Sequence, residues 1–164
     1  MNTLDIGRIN VCAPYKVTVD SDYPHFFYFY TDYGIEYEIC IKANDTFVPS
    51  GSYALDIHNK SDLPSPGDPK FRQTLMAIIE EFFRQNNDVM LYITETKDMK
   101  QASRNRLFVR WFNTYEYRDR YVIKTAEGRM DGQMNFMAII LRNDNPCLHQ
   151  AISEFEETIA FLFD

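Results

Sequence analysis

Apolar and polar residues alternate with period two through much of the first third of the chain, the spacing of half-buried strands. Residues 15–19 alternate, and residues 25–31 form an almost unbroken aromatic run, with Phe26, Phe27, Tyr28, Phe29 and Tyr30 covering both faces. Asp32-Tyr33-Gly34 reads as a tight turn. After it, Ile35, Tyr37, Ile39 and Ile41 share one face while Glu36, Glu38, Cys40 and Lys42 share the other. That pattern predicts a hairpin with one buried face and one largely wet face. A short strand is expected at 53–57. Residues 59–69 hold three prolines and a glycine among polar residues, so they predict a loop and the best candidate boundary between a β-rich start and a helical remainder.

The period then changes. Asp68-Pro69 supplies a capping oxygen and a proline where no N–H is missed, and Phe71, Leu75, Ile78, Ile79 and Phe82 recur at helical spacing until Asn86-Asn87. Residues 89–94 predict a strand. A second helix is expected over about 101–115, with Leu107, Phe108, Trp111, Phe112 and Tyr115 as a broad apolar stripe. Residues 121–125 and 134–141 predict two more strands, with turns at Glu127-Gly128 and Asp131-Gly132. Asn145-Pro146 repeats the cap-then-proline start, and Leu148, Ile152, Phe155, Ile159 and Leu162 define a last helix. This order predicts an α+β fold, a single domain over residues 1–164. Its antiparallel sheet, built of N-terminal hairpins plus later strands, is expected to be covered on one face by about three helices.

Composition narrows the class without naming an activity. A chain of 164 residues suits one domain, and 45% hydrophobic with 25% charged residues excludes disordered, fibrous and membrane-spanning classes. No charge-free run nears the ~20 residues of a membrane span, and Asp5 and Arg8 interrupt any signal-peptide core, so a soluble cytoplasmic protein is expected. Cys12, Cys40 and Cys147 lack metal or redox spacing and are expected to be reduced and mostly buried.

Candidate chemistry is sparse. None of the six glycines forms a phosphate-cradling loop, His25, His58 and His149 have no ligand spacing, and no nucleophile elbow is present. No catalytic residue, metal or cofactor is expected. The one segment that asks for a partner surrounds Arg104. At 100° per residue Arg104 lies along the middle of the Leu107-Phe108-Trp111-Tyr115 stripe, whereas Arg106 and Arg110 point away as solvated charges would. A guanidinium aimed at a core needs compensation. Two roles are open to Arg104: an ion pair with Glu80, Glu81 or Glu95 that locks helix to sheet, or capture of an anion beside the helix N-terminus. Gln101, Arg104, Arg106, Arg110 and Trp111 are therefore the candidate anion or partner site.

Charge is distributed unevenly as well. Residues 97–129 carry nine basic and four acidic side chains within a chain of net −7, leaving −12 elsewhere. Internal pairing is the expected use of this segment, with Glu36, Glu38, Glu154, Glu156 and Glu157 available to face it. The alternative is a nucleic-acid patch with Tyr115, Tyr117 and Tyr121 interleaved for stacking, against which the acidic whole argues.

FFYFYTDYGIEYEICI (26–41) and LYITETKDMKQASRNRLFVRWF (91–112) resemble an uncharacterised family of small proteins, a domain of unknown function found chiefly in Bacteroidota. Tyr37, Gln101, Arg104, Asn105, Arg106, Leu107, Phe108 and Trp111 carry the likeness, which runs from about Tyr15 to the last helix. The resemblance implies a bacterial, gut-associated, cytoplasmic setting and assigns no activity or catalytic residue. The function expected is a non-catalytic protein-interaction module, antitoxin-like or immunity-like, whose partner is another protein or a second copy of the chain. The alternative is a nucleic-acid-binding or nuclease-like protein using the basic 97–129 segment.

Overall fold

The aromatic run and the alternating strand after it pair as their pattern predicts. In the computed structural model, which describes the backbone of residues 1–95 and 99–163 and the side chains of 1–94 and 105–163, seven strands and four helices fall into two compact units. One comprises Met1–Lys42 with Leu55–Asn86, the other Ala43–Ala54 with Asn87–Asp164. The fold is α+β, as expected. The loop after residue 59 lies inside the first unit, so the division does not fall there.

The first unit contains α1 (Ile6–Cys12), β1 (Thr18–Val19), β2 (Phe26–Tyr30), β3 (Glu36–Ala43), most of β4 (Tyr53–Asn59) and α2 (Pro69–Gln85). β1, β2 and β3 form an antiparallel ladder with Val19 opposite Phe27 and Phe29 opposite Tyr37. The turn closes through Thr31 N to Ile35 O (2.9 Å), and Gly34 takes φ +72°, a conformation that glycine adopts without Cβ strain. β4 lies beside β3, with the Lys60 amide donating to Glu36 O at 2.9 Å. Phe27, Phe29, Tyr37, Ile39 and Ile41 are buried on one sheet face, where Phe71 of α2 packs on Tyr37 (4.5 Å between ring centres) and on Phe29 (5.8 Å). Asp68 caps α2 by accepting from the Lys70 amide at 3.0 Å, as its place before Pro69 predicts. The other face is largely wet, with Cys40 the exception: it is buried, and burial pushes its thiol pKa up. Cys12 and Cys147 are exposed, so mostly buried cysteines are not what is found.

Two departures in this unit have a tertiary cause. α1 has only the Asp5 cap as a local signal, its carboxylate accepting from the Arg8 amide at 3.1 Å, because IGRINVC mixes glycine with β-branched residues and seven residues make a marginal helix alone. It is held by α2: buried Glu81 accepts from the Asp5 amide (3.1 Å), from Arg84 Nε and Nη2 (2.8 Å each) and from Gln85 Nε2 (3.1 Å). The strand expected at 15–19 shrinks to Thr18–Val19, since the Tyr15 amide donates to Thr74 Oγ1 and the Val17 amide to Asn10 Oδ1.

The second unit is built on β5 (Met90–Glu95), β7 (Gln133–Arg142) and β6 (Tyr121–Met130), antiparallel in that spatial order, with α3 (Met99–Asn113) and α4 (Leu148–Leu162). Leu91, Met137, Ile139 and Leu141 pack with Phe47, Val48, Val89, Ala151 and Phe155, which places α4 on one sheet face. Tyr92 points the opposite way along β5 and stacks on Phe108 of α3 at 4.2 Å. Single-face coverage by helices therefore describes the first unit, while in the second α3 and α4 lie on opposite faces. Asp131 (φ +53°) and Gly132 (φ +78°) form the two-residue hairpin turn. Glu127-Gly128 is strand, not turn: a Cβ at Gly128 would fall on the Phe163 ring, so the glycine marks a close approach. Asn145 likewise makes a turn, accepting from the Cys147 amide (2.8 Å) and donating to Asn87 O (3.1 Å), and α4 begins two residues later than an Asn145 cap would place it.

Candidate functional site

The buried side of α3 follows Asn105, Phe108 and Phe112, positions i, i+3 and i+7. Phe108 stacks on Tyr92, Phe112 meets Tyr121 edge-on at 5.7 Å, and Asn105 Oδ1 accepts from Thr94 Oγ1 at 2.6 Å. Asn105 is only 1% exposed, and its Nδ2 has no acceptor among the described residues. Leu107, expected in the apolar stripe, is 40% exposed. The sheet face receives a narrower arc than the stripe offers, and Tyr92 centres that arc on Phe108.

Rotation of the helix leaves four sequence-selected residues adjacent on its outer side. Arg106 and Leu107 lie one turn before Arg110 and Trp111, so i, i+4 neighbours form two parallel rows. Arg106 and Arg110 are exposed and Trp111 is half-buried. Among the described residues neither arginine makes an ion pair. The side chains of Gln101 and Arg104 lie outside the described residues. Of the partners considered for Arg104, Glu81 is fully engaged by Arg84, Gln85 and the Asp5 amide.

The helix C-terminus is finished by its own neighbours. Thr114 Oγ1 donates to Arg110 O (2.9 Å), Arg118 Nη1 donates to Asn113 O (3.0 Å), and Arg118 Nε lies 3.6 Å from Asp119. The Arg120 guanidinium sits 4.3 Å above the Tyr117 ring, and Tyr117 meets Tyr115 edge-on at 5.7 Å. The tyrosines expected to offer stacking platforms are engaged with protein groups. Three of the acidic residues expected to face this segment have other partners. Glu38 pairs with Lys60 (3.8 Å), Glu157 accepts from Ser153, and Glu154 accepts from the Ser50 amide and Gln150 (2.9 Å each). The Ser50 amide is the main reason that the Glu154 pKa lies below the ordinary range. Among the described residues, no group of three His, Cys, Asp or Glu side chains is placed to hold a metal ion.

Residues 67–157, from the loop before α2 into α4, match the family of unknown function DUF6169. The chain belongs to this family. The DUF6169 segment includes α3 and its outer face. No curated protein matches the chain. Among solved structures it is similar to a CoA-dependent acyl-homoserine lactone synthase, MesI, with 10% identity over 90% of this chain and 74% of that one, at a TM-score of 0.39. That likeness is too slight to argue from. No helix among the described residues is long and apolar enough to cross a membrane. Sequence periodicity missed the exposure of Leu107, although Asn105, Phe108 and Phe112 at i, i+3 and i+7 carry the alternative face.

Proposed function

We propose that this DUF6169 member is a non-catalytic protein-interaction module of the bacterial cytoplasm, in Bacteroidota, antitoxin-like or immunity-like in holding a partner protein rather than turning over a substrate. The observation that carries the reading is the outer face of α3, where an exposed leucine and a half-buried tryptophan lie beside two arginines that make no ion pair among the described residues. Tryptophan and arginine are the residue types most enriched in binding hot spots, and an apolar centre with a charged margin is the usual anatomy of an interface. Two like charges at i, i+4 cost the isolated helix a few tenths of a kcal/mol. An acidic partner surface reverses that sign. The net charge of −7 and the engagement of Tyr115, Tyr117 and Tyr121 disfavour nucleic acid as the ligand.

The test uses tagged wild type and two variants, Leu107→Glu and Arg106→Glu/Arg110→Glu, to recover bound protein from host cells. Each is then titrated against the purified partner by calorimetry. Saturable binding by the wild type, weakened by about tenfold or more in both variants at unchanged unfolding temperature, supports the reading. Equal binding by all three, or recovery of no protein, refutes it. A low-salt gel shift on RNA and single-stranded DNA that disappears in the arginine variant moves the assignment to nucleic acid.

A further inference from the structure

β6 is ten residues long and stands at the end of its ladder, so among the described residues no strand pairs with its outer side. Its register with β7 runs one for one from Tyr121 opposite Arg142 to Met130 opposite Gln133, without a bulge, and it contains no proline. The hairpin turn determines which groups the free side presents. A two-residue turn with both φ positive is closed by a pair that exchanges both backbone hydrogen bonds, here Met130 and Gln133. Alternation then directs the even-numbered residues of β6 to β7. Tyr121, Ile123, Thr125, Glu127 and Arg129 send their N–H and C=O groups outward. Long unpaired edges of this kind are templates for another strand.

The side chains along the edge select the occupant. Glu127 and Arg129 are exposed, lie on the same sheet face, and make no ion pair among the described residues. A second copy approaching antiparallel about a two-fold axis at Gly128 sets Glu127 opposite Arg129 of that copy, and Arg129 opposite its Glu127. Both residues are among those with outward backbone groups. On the opposite face Ala126 meets Met130 of the second copy, and at the axis Gly128 adds no side chain of its own beneath the Phe163 ring that covers it. Neighbouring registers are worse: an axis at Glu127 sets two carboxylates against each other, and an axis at Ala126 sets Arg129 against Ile123. Symmetry requires a patch complementary to itself, and the Gly128 register meets that condition in backbone, charge and apolar contact together. We infer that β6 is a homodimerisation edge, pairing with β6 of a second copy about Gly128 through reciprocal Glu127–Arg129 ion pairs. This surface is separate from the outer face of α3, and its test is independent of any other partner.

Sedimentation velocity on the full chain, from micromolar to near-millimolar concentration, reads the association directly. A reversible dimer is expected. Glu127→Arg and Arg129→Glu each place two like-charge contacts in it and raise its dissociation constant roughly tenfold. The double exchange Glu127→Arg/Arg129→Glu regenerates both pairs with reversed signs and restores the wild-type constant. A chain that stays monomeric throughout, a dimer unaffected by either single change, or a double exchange that stays as weak as the singles each overturns the inference. Circular dichroism verifies that every variant is folded.

Discussion

Leu107 and Phe108 are adjacent apolar residues with opposite environments. Phe108 is buried against Tyr92, whereas Leu107 is turned to solvent on the outer side of α3. Phe108→Ala is therefore expected to cost about 3–5 kcal/mol, from lost transfer energy and the cavity left behind. Leu107→Glu is expected to change stability by about 0.5 kcal/mol or less. Urea denaturation of the two variants measures both, and a Leu107→Glu loss comparable with that of Phe108→Ala removes the outer face as a docking surface. Asn105 follows Phe108 and Phe112 inward, where Thr94 Oγ1 donates to its Oδ1.

Among the elements, α1 beyond its Asp5 cap and the end of α4 depend on contacts with distant residues. α1 is short and poor in helix formers, and its first turn is tied to α2 through the Asp5 amide and the Glu81 carboxylate. The last residues after α4 are seated where Phe163 covers Gly128 of β6. Gly128→Ala is expected to cost about 1–3 kcal/mol, because the added methyl and the ring cannot share the space. Phe163→Ala removes the ring and leaves its Cβ 2.8 Å from the added methyl, so Gly128→Ala made in that background is expected to cost less than it does alone. Thermal unfolding of the two single variants and the double variant tests the coupling. Additive losses are inconsistent with the contact.

For the molecule as a whole, pH acts from both sides. Burial alone raises the Glu81 pKa, but the Arg84 guanidinium and the Asp5 and Gln85 donors outweigh it and hold the carboxyl below its ordinary 4.5. Arg142 lowers Asp144 in the same sense. As pH falls through this range the unfolded chain takes up protons before the folded one, so stability is lost with acid. Tyr15 behaves inversely. Burial first, with Asp68 and Asp32 adding and the Asp32 amide opposing, pushes its phenol from 10.0 up to about 12. Between those values the unfolded chain loses a proton that the folded one keeps, and stability falls as pH rises. Urea midpoints are expected to be flat near neutrality and to drop below about pH 4.5 and above about pH 9, where the Cys40 thiol and then the Tyr15 phenol ionise first in the unfolded chain. Glu81→Gln should make the acid limb shallower, and Tyr15→Phe the alkaline limb. Unchanged limbs in both variants exclude these groups as the cause.

Local chemistry alone determined much of this protein. The β2–β3 hairpin, the Asp68-Pro69 start of α2, the stripe of α4 and the Asp131-Gly132 turn follow from period, capping oxygen and backbone freedom, all properties of a few neighbouring residues. The α+β class follows from their order. Tertiary structure decided what depends on a distant surface. Gly128 is a contact and not a turn because Phe163 lies over it. α1 exists because α2 supplies Glu81. Leu107 faces solvent because Tyr92 admits only the Phe108 side of a stripe wider than the sheet needs. The candidate site was legible as a list of residues on α3; which of them meet water was set by packing across the strand beneath.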